Sequence, residues 1–211
     1  MNRTVSFDDL VTEAKALLAQ EGRRFMALAG APGSGKSTTV EHLAEALAAE
    51  YPGQVAILPM DGFHYDDGVL HQMGRRPWKG APDTFDVGGL RMTLNRLADP
   101  AEGAVAVPVF DRDLEISRGS ARIIPAGVKL ILVEGNYILL DQAPWDGLRP
   151  CFDTTVLIDV PEDELRRRLR ARWVHFGLNE EEIAHKLDGN DLPNGHVVMQ
   201  HSRADLTYQQ E

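Results

Sequence analysis

The octapeptide Gly30-Ala31-Pro32-Gly33-Ser34-Gly35-Lys36-Ser37 fills every fixed position of the pattern G-x-x-x-x-G-K-[ST]. Each residue type there has a task at a polyphosphate. The glycines let successive backbone N–H groups turn toward anionic oxygens, and the helix that must follow adds the positive end of its dipole. Lys36 brings a mobile positive charge, and the Ser37 hydroxyl can ligate magnesium. Pro32 fixes φ at the loop entry, and Thr38 carries the loop into the first turn of the helix. Residues 30–38 are therefore expected to hold the phosphates of a nucleoside triphosphate together with its Mg2+.

A phosphate loop alone leaves motor ATPases, GTPases and kinases open, because the loop does not fix the reaction. Other strand ends must decide. Asp61 stands just past a short apolar run, where its carboxylate would emerge at the ligand-bearing edge of a parallel sheet. There it can accept a hydroxyl proton and orient that oxygen for in-line attack. The alternatives are a ligand to magnesium-bound water and a plain Asp-Gly turn. Glu134 ends a second, longer apolar run and is assigned to magnesium, directly or through water. Asp159, near the end of a third run, reads as structural because Pro161 soon opens a helix.

Arg168 and Arg172 are four residues apart and share a helix face, and Arg166 and Arg170 share a neighbouring one. A face closing over the nucleotide would stabilise charge in the transition state and exclude water. The alternative for any of these arginines is solvent-exposed pairing with Glu162 and Glu164. Arg168 and Arg172 are the favoured lid pair, joining Asp61 and Lys36 as candidate catalytic residues.

These side chains need a scaffold that gathers strand ends at one edge. Residues 24–29 read as a buried strand before the loop, and residues 37–50, with Val40, Leu43, Ala44 and Leu47 in register, as the helix after it. Residues 55–58 form a second short strand. Residues 128–133 and 154–160 are nearly continuous apolar runs, as central parallel strands covered on both faces should be, and both are expected beside the loop strand. An amphipathic helix over Leu10, Val11, Ala14, Leu17 and Leu18 opens the chain behind a Ser6–Asp9 capping signal. Residues 75–86 read as an ordered loop, 89–97 as a helix, and 105–110 with 121–124 as a hairpin in which Pro108 demands an edge. A helix is expected from Pro161 to about Phe176, where Gly177 stops it, then shorter helices over 180–187 and 195–202. The sum is a three-layer α/β fold with helices on both faces of a parallel sheet and a helical lid.

The 211 residues fit one domain, 1–211, with the lid and C-terminal helical region at about 161–203. A formal charge of -10 repels nucleic acid and anionic membranes at long range, so an anionic ligand must meet a local basic patch. Two exist, Arg75-Arg76 with Lys79, and the arginines of 166–172. No apolar run reaches the ~20 residues of a membrane span, and no targeting segment is visible at the N-terminus. The single cysteine, Cys151, reads as a buried structural thiol in a reducing, cytoplasmic setting. Oligomeric state is not readable, and a homodimer is allowed.

Asp61-Gly62-Phe63-His64, Lys79-Gly80-Ala81-Pro82-Asp83-Thr84-Phe85-Asp86, Pro108-Val109-Phe110-Asp111-Arg112 and Val133-Glu134-Gly135-Asn136-Tyr137 follow one another in a telling order. It resembles that of the uridine kinase, pantothenate kinase and phosphoribulokinase group of P-loop kinases, over residues 25–205. Within that group the chain looks most like the bacterial branch labelled fructose-transport-system kinases, and Asn190-Asp191-Leu192-Pro193-Asn194 adds a branch-like feature. The resemblance implies a P-loop nucleoside triphosphate hydrolase fold, ATP and Mg2+, Asp61 as base, Glu134 near the metal, and lid arginines. It also implies acceptor contacts from His64, Lys79 and Arg112, with Tyr137 beside them. The acceptor segment lacks the Asp-Ser-Phe-Tyr pattern of uridine kinases, which argues against a nucleoside.

The resulting expectation is ATP-dependent phosphorylation of a hydroxyl on a small metabolite, a sugar such as fructose or a related polyhydroxy compound. A nucleoside or pantothenate-type acceptor is the alternative. From a different class, a nucleotide-binding regulatory protein or GTPase-like switch would use Asp86-Val87-Gly88-Gly89 as D-x-x-G and His185-Lys186-Leu187-Asp188 as a near match to N-K-x-D. The first lacks the strand a switch needs, and the second has His where an amide must bind the base.

Overall fold

The computed structural model describes residues 3–210. A three-residue strand β1 (Arg3–Val5) precedes α1 (Phe7–Leu18). That helix opens on a full capping box, with Asp9 N–H donating to Ser6 Oγ at 3.2 Å and Ser6 N–H to Asp9 Oδ2 at 2.8 Å. Then follow β2 (Arg24–Gly30), α2 (Lys36–Ala48) and β3 (Val55–Pro59). A 3₁₀ turn (Met60–Phe63) leads to the short α3 (Asp67–Gln72), two more 3₁₀ turns (Arg76–Trp78, Pro82–Thr84) and α4 (Val87–Ala98). A hairpin of β4 (Val105–Asp111) and β5 (Ile116–Ile124) is followed by β6 (Leu130–Gly135), a 3₁₀ segment (Trp145–Cys151) and β7 (Thr154–Asp159). The chain then runs through α5 (Glu162–His175), α6 (Glu180–Lys186), a π-helical turn (Leu187–Asp191), α7 (Leu192–His201) and β8 (Leu206–Gln209).

Six strands form one parallel sheet in the order β1-β8-β7-β2-β6-β3. The loop strand β2 lies between β6 and β7, as the two long apolar runs require. Because side chains alternate along a strand, β2 sends Met26 and Leu28 to one face and Phe25, Ala27 and Ala29 to the other. The first face carries α1 and α2 through Leu10, Leu17, Val40, Leu43 and Leu47. The second packs against Leu90, Leu94 and Leu97 of α4, Val198 of α7 and an aromatic group around Tyr137 and Trp145. A third, small core of Leu169, Ile183, Leu187 and Leu192 holds the lid helices α5 and α6 to the turn that follows them.

The hairpin pairs as expected, and its register shifts between Val107 and Val109, at the proline that cannot donate to a ladder. Its second strand begins at Ile116, five residues earlier than apolar alternation suggests, since the stretch from Ile116 to Ser120 is held by pairing rather than by burial. The strands β1 and β8 have too few apolar residues to be read from sequence and exist by pairing with each other and with β7. Cys151 is half-buried against the core, and burial pushes its thiol up. No helix of the described residues is long and apolar enough to cross a membrane.

Arg23, just ahead of β2, ties the sheet to what surrounds it. Its guanidinium donates to four backbone carbonyls, those of Leu97 at 2.8 Å, Pro125 at 2.9 Å, Ala126 at 3.0 Å and Val128 at 2.8 Å. Replacing Arg23 by Met keeps the stem and strips the donors. Stability to urea should fall by about 1–3 kcal/mol; an unaltered midpoint would mean that water replaces the guanidinium without loss.

Candidate active site

The turn between β2 and α2 is built from within. Ser34 is fully buried and its N–H donates to Ala31 O at 3.0 Å, while Gly33 and Gly35 take φ of 80° and 76°, values that L side chains rarely adopt. Gly30, Ala31 and Ser34 thus shape the loop, and Pro32, Gly33, Gly35, Lys36, Ser37 and Thr38 face a cavity of about 340 Å³. A side chain at Gly33 would meet Leu169 of the lid at 2.9 Å, so loop and lid core are in contact.

Glu134 reaches the same cavity because of strand periodicity. Two residues beyond Leu132, it lies on the face that carries α2, and Ser37 at the start of α2 donates its hydroxyl to Glu134 Oε1 at 3.2 Å. Glu134 is 6% exposed. Burial pushes its carboxyl up and pulls the Lys36 ammonium down, and each draws the other back toward its charged form. A buried carboxylate beside a hydroxyl at the phosphate end is a hard, all-oxygen donor pair, which suits Mg2+ completed by phosphate oxygens and water.

Asp61 sits in the 3₁₀ turn at the end of β3, fixed by two close approaches. A Cβ on Gly62 would lie 2.6 Å from Pro108 O of the hairpin, and one on Gly135 would run into the Met60 side chain. The Ser117 hydroxyl also donates to Gly62 O. Arg112 Nη2 donates to Asp61 Oδ2 at 2.9 Å. Among the described residues Oδ1 has no partner, and it is the oxygen left for a ligand.

The far end of the cavity is walled by His64, Arg76, Lys79, Gly80, Phe85 and Phe110. The His64 ring lies between those of Phe85 and Phe110, 4.0 and 4.7 Å from their centroids. Burial draws its pKa down, so the ring is neutral, and Nδ1 stands 2.8 Å from Asp61 O. A carbonyl partner places the proton on Nδ1 and leaves Nε2 an acceptor. Lys79, 9% exposed as a side chain, and Arg76 both contact Asp67 at 2.7 Å. Tyr137 is not a cavity residue: it is fully buried in the core, and its hydroxyl donates to Gly80 O at 2.6 Å, bracing the wall from behind.

On the lid, most of the arginine run is engaged in ion pairs. Arg166 pairs with Asp188 at 2.9 Å, Arg170 with Glu180 at 2.6 Å, and Arg167 and Arg168 both with Glu164 at 2.6 Å. Arg172 faces the cavity. Arg168 does not: its Nη1 donates to Gln210 Oε1 at 2.9 Å, and it lies beside Gly35, where Gln210 Nε2 in turn donates to Thr39 Oγ1 at 3.2 Å. The expected lid pair is therefore split, with one arginine at the cavity and the other bracing the loop.

Asn136, Trp173, Lys186, Asn190, Asp191 and Asn194 line the cavity without having been picked out one by one from sequence. Three of them belong to the 190–194 segment, whose motif was the available signal. The switch-like motifs dissolve on inspection. Asp86 caps α4 by accepting from Gly89 N–H at 2.8 Å, and Asp188 is an exposed partner of Arg166.

No family model matches the chain. It is 37% identical to the uncharacterized Escherichia coli protein YggC over 183 residues, 86% of this chain and 75% of that one. It is 31% identical to a candidate uridine kinase of Schizosaccharomyces pombe over 196 residues, 90% of this chain and 83% of that one. Among solved structures, a candidate fructose transport system kinase from a Silicibacter species superposes with a TM-score of 0.88 at 37% identity, covering 96% of this chain and 98% of its own.

The packing around Asp61 generates a test. Gly62→Ala forces the turn away from Pro108 O and displaces the carboxylate without touching the phosphate loop. Turnover should fall about tenfold to a hundredfold with the affinity for ATP retained, as steady-state rates and calorimetric titration of nucleotide would report.

Proposed function

Since the chain belongs to the P-loop kinases of the uridine and pantothenate kinase type, we propose that its acceptor is a hydroxyl of a neutral polyhydroxy compound such as a sugar. The observation that carries this reading is the position of Asp61 in one cavity with Lys36 and Ser37 on one side and the His64–Phe110 wall on the other. We read residues 1–211 as one kinase unit working through that cavity.

Asp61 acts as base. Arg112 holds Oδ2, and Oδ1 takes the proton of the attacking hydroxyl. Lys36 and the loop amides bind the phosphates, and Arg172 adds positive charge from the lid. Ser37 and Glu134 would hold Mg2+, which when bound offsets phosphate charge and aligns the terminal group. His64 offers Nε2 to a second hydroxyl of the acceptor, and Phe85 and Phe110 give its C–H faces an apolar surface.

Charge supports a neutral acceptor over a phosphorylated one. Arg76 and Lys79 share Asp67, and Arg112 is held by Asp61, so each cation at that end already contacts a carboxylate. A sugar phosphate would have to displace these pairs.

A panel of sugars, polyols and their phosphates, followed by acceptor-dependent ADP release above background hydrolysis, tests the reading. Unphosphorylated sugars or polyols should turn over. Turnover with anionic acceptors alone would overturn the neutral assignment. Asp61→Asn should keep ATP binding and lose about 10³ in turnover; near-normal rates would remove Asp61 as base.

A further inference from the structure

The cations that face the cavity differ in what else they touch. Lys36 belongs to the phosphate loop, and Arg76, Lys79 and Arg112 each contact a carboxylate. Arg172 and Lys186 form no ion pair among the described residues. Both instead rest on one aromatic ring. The Arg172 guanidinium carbon is 5.1 Å and Lys186 Nζ 5.5 Å from the Trp173 ring, close enough for each cation to feel its π-face.

That ring is itself fixed. Trp173 Nε1 donates to Asp191 Oδ2 at 2.7 Å, and Asp191, 8% exposed, closes the π-helical turn between α6 and α7. One indole thus joins α5, the end of α6 and the turn, and presents a cation from each of two helices to the same space. The lid core beneath, Leu169 with Ile183, Leu187 and Leu192, sets α5 against α6 and presses Leu169 toward Gly33 of the loop. Asp191, held by the indole N–H and pushed up by burial, is the carboxylate within electrostatic reach of both cations, yet neither forms an ion pair with it; two cations facing one cavity in this way leave charge for an anion. The anion that this cavity must hold is a polyphosphate.

We propose that Lys186 is a catalytic residue paired with Arg172, the two gripping the distal phosphates of the nucleotide from the lid, with Trp173 as the platform that positions both. The inference rests on the nucleotide reading of the cavity and extends it to a residue on α6. It also gives the near match at 185–188 a different meaning: Lys186 would read phosphate charge, and the guanine-like spacing around it is incidental. A cation on an aromatic face keeps its charge available, so it can move to a phosphate oxygen without first breaking an ion pair.

Calorimetric titration of the 211-residue protein in Mg2+ with a non-hydrolysable ATP analogue, ADP and AMP decides it. Lys186→Ala should weaken the ATP analogue tenfold or more and ADP less, and leave AMP unchanged; Lys186→Arg should recover most of the loss. Lys186→Met keeps the stem over Trp173 and should behave as the alanine variant does, with an unchanged thermal midpoint. An unaltered ATP-to-AMP affinity ratio in both variants would overturn the proposal, as would an equal loss for all three nucleotides, which marks a structural role. Wild-type protein that binds none of them would instead bring down the nucleotide reading itself, while binding that Asp61→Asn leaves intact keeps the lid result separate from the choice of base.

Discussion

The hydroxyl of Ser37 on the carboxylate of Glu134 ties the start of α2 to the end of β6. One partner is fixed by a helix start that the glycine turn creates, the other by the register of β6 against β2, where Leu28 stands opposite Glu134. Slipping that register by one residue would turn Glu134 into the opposite core, among Leu90, Leu94 and Tyr137, and leave the phosphate end without its acid. The continuous apolar character of β2, β6 and β7 fixes the place of Glu134 at the loop end of the cavity, because a strand buried on both faces cannot slip without burying the wrong side chains. What varies among proteins of this architecture is built on loops outside that frame.

Charge is apportioned along the cavity. At one end, cations are already matched to carboxylates and the wall is aromatic; at the other, they are held on an indole or in a glycine turn. A net charge of -10 makes this division more consequential, since a predominantly acidic chain repels anions at long range and the cations of the cavity act against that background. The same accounting explains why the arginine-rich α5 carries so little free charge: Glu164, Glu180 and Asp188 engage Arg166, Arg167, Arg168 and Arg170.

Sequence made the frame legible because strand ends are one-dimensional facts: a carboxylate after an apolar run emerges at a known edge, and Asp61 and Glu134 both do. Helix residues are harder. The four-residue spacing of Arg168 and Arg172 gives a shared face, yet the two are about 6 Å apart along the axis, and one turn decides between the cavity and Gln210. Lys186 and Asn194 were hidden for the same reason, since the facing of a short helix depends on packing partners far away in sequence. Tyr137 sat in the right motif, but its direction follows from the aromatic cluster with Phe85 and Trp145, which sequence does not order.

The place of β8 has a temporal side. It lies between β1 and β7, so Arg3–Val5 finds its partner only when Leu206–Tyr208, far later in the chain, has been made. The middle of the sheet can assemble from β2, β3, β6 and β7 while that edge is still waiting. Until then Arg3–Val5 lacks its partner strand, and this closure is the most non-local pairing of the sheet. The same closure brings Gln210 beside Gly35 and Arg168, so the phosphate loop receives this brace only once β8 has paired.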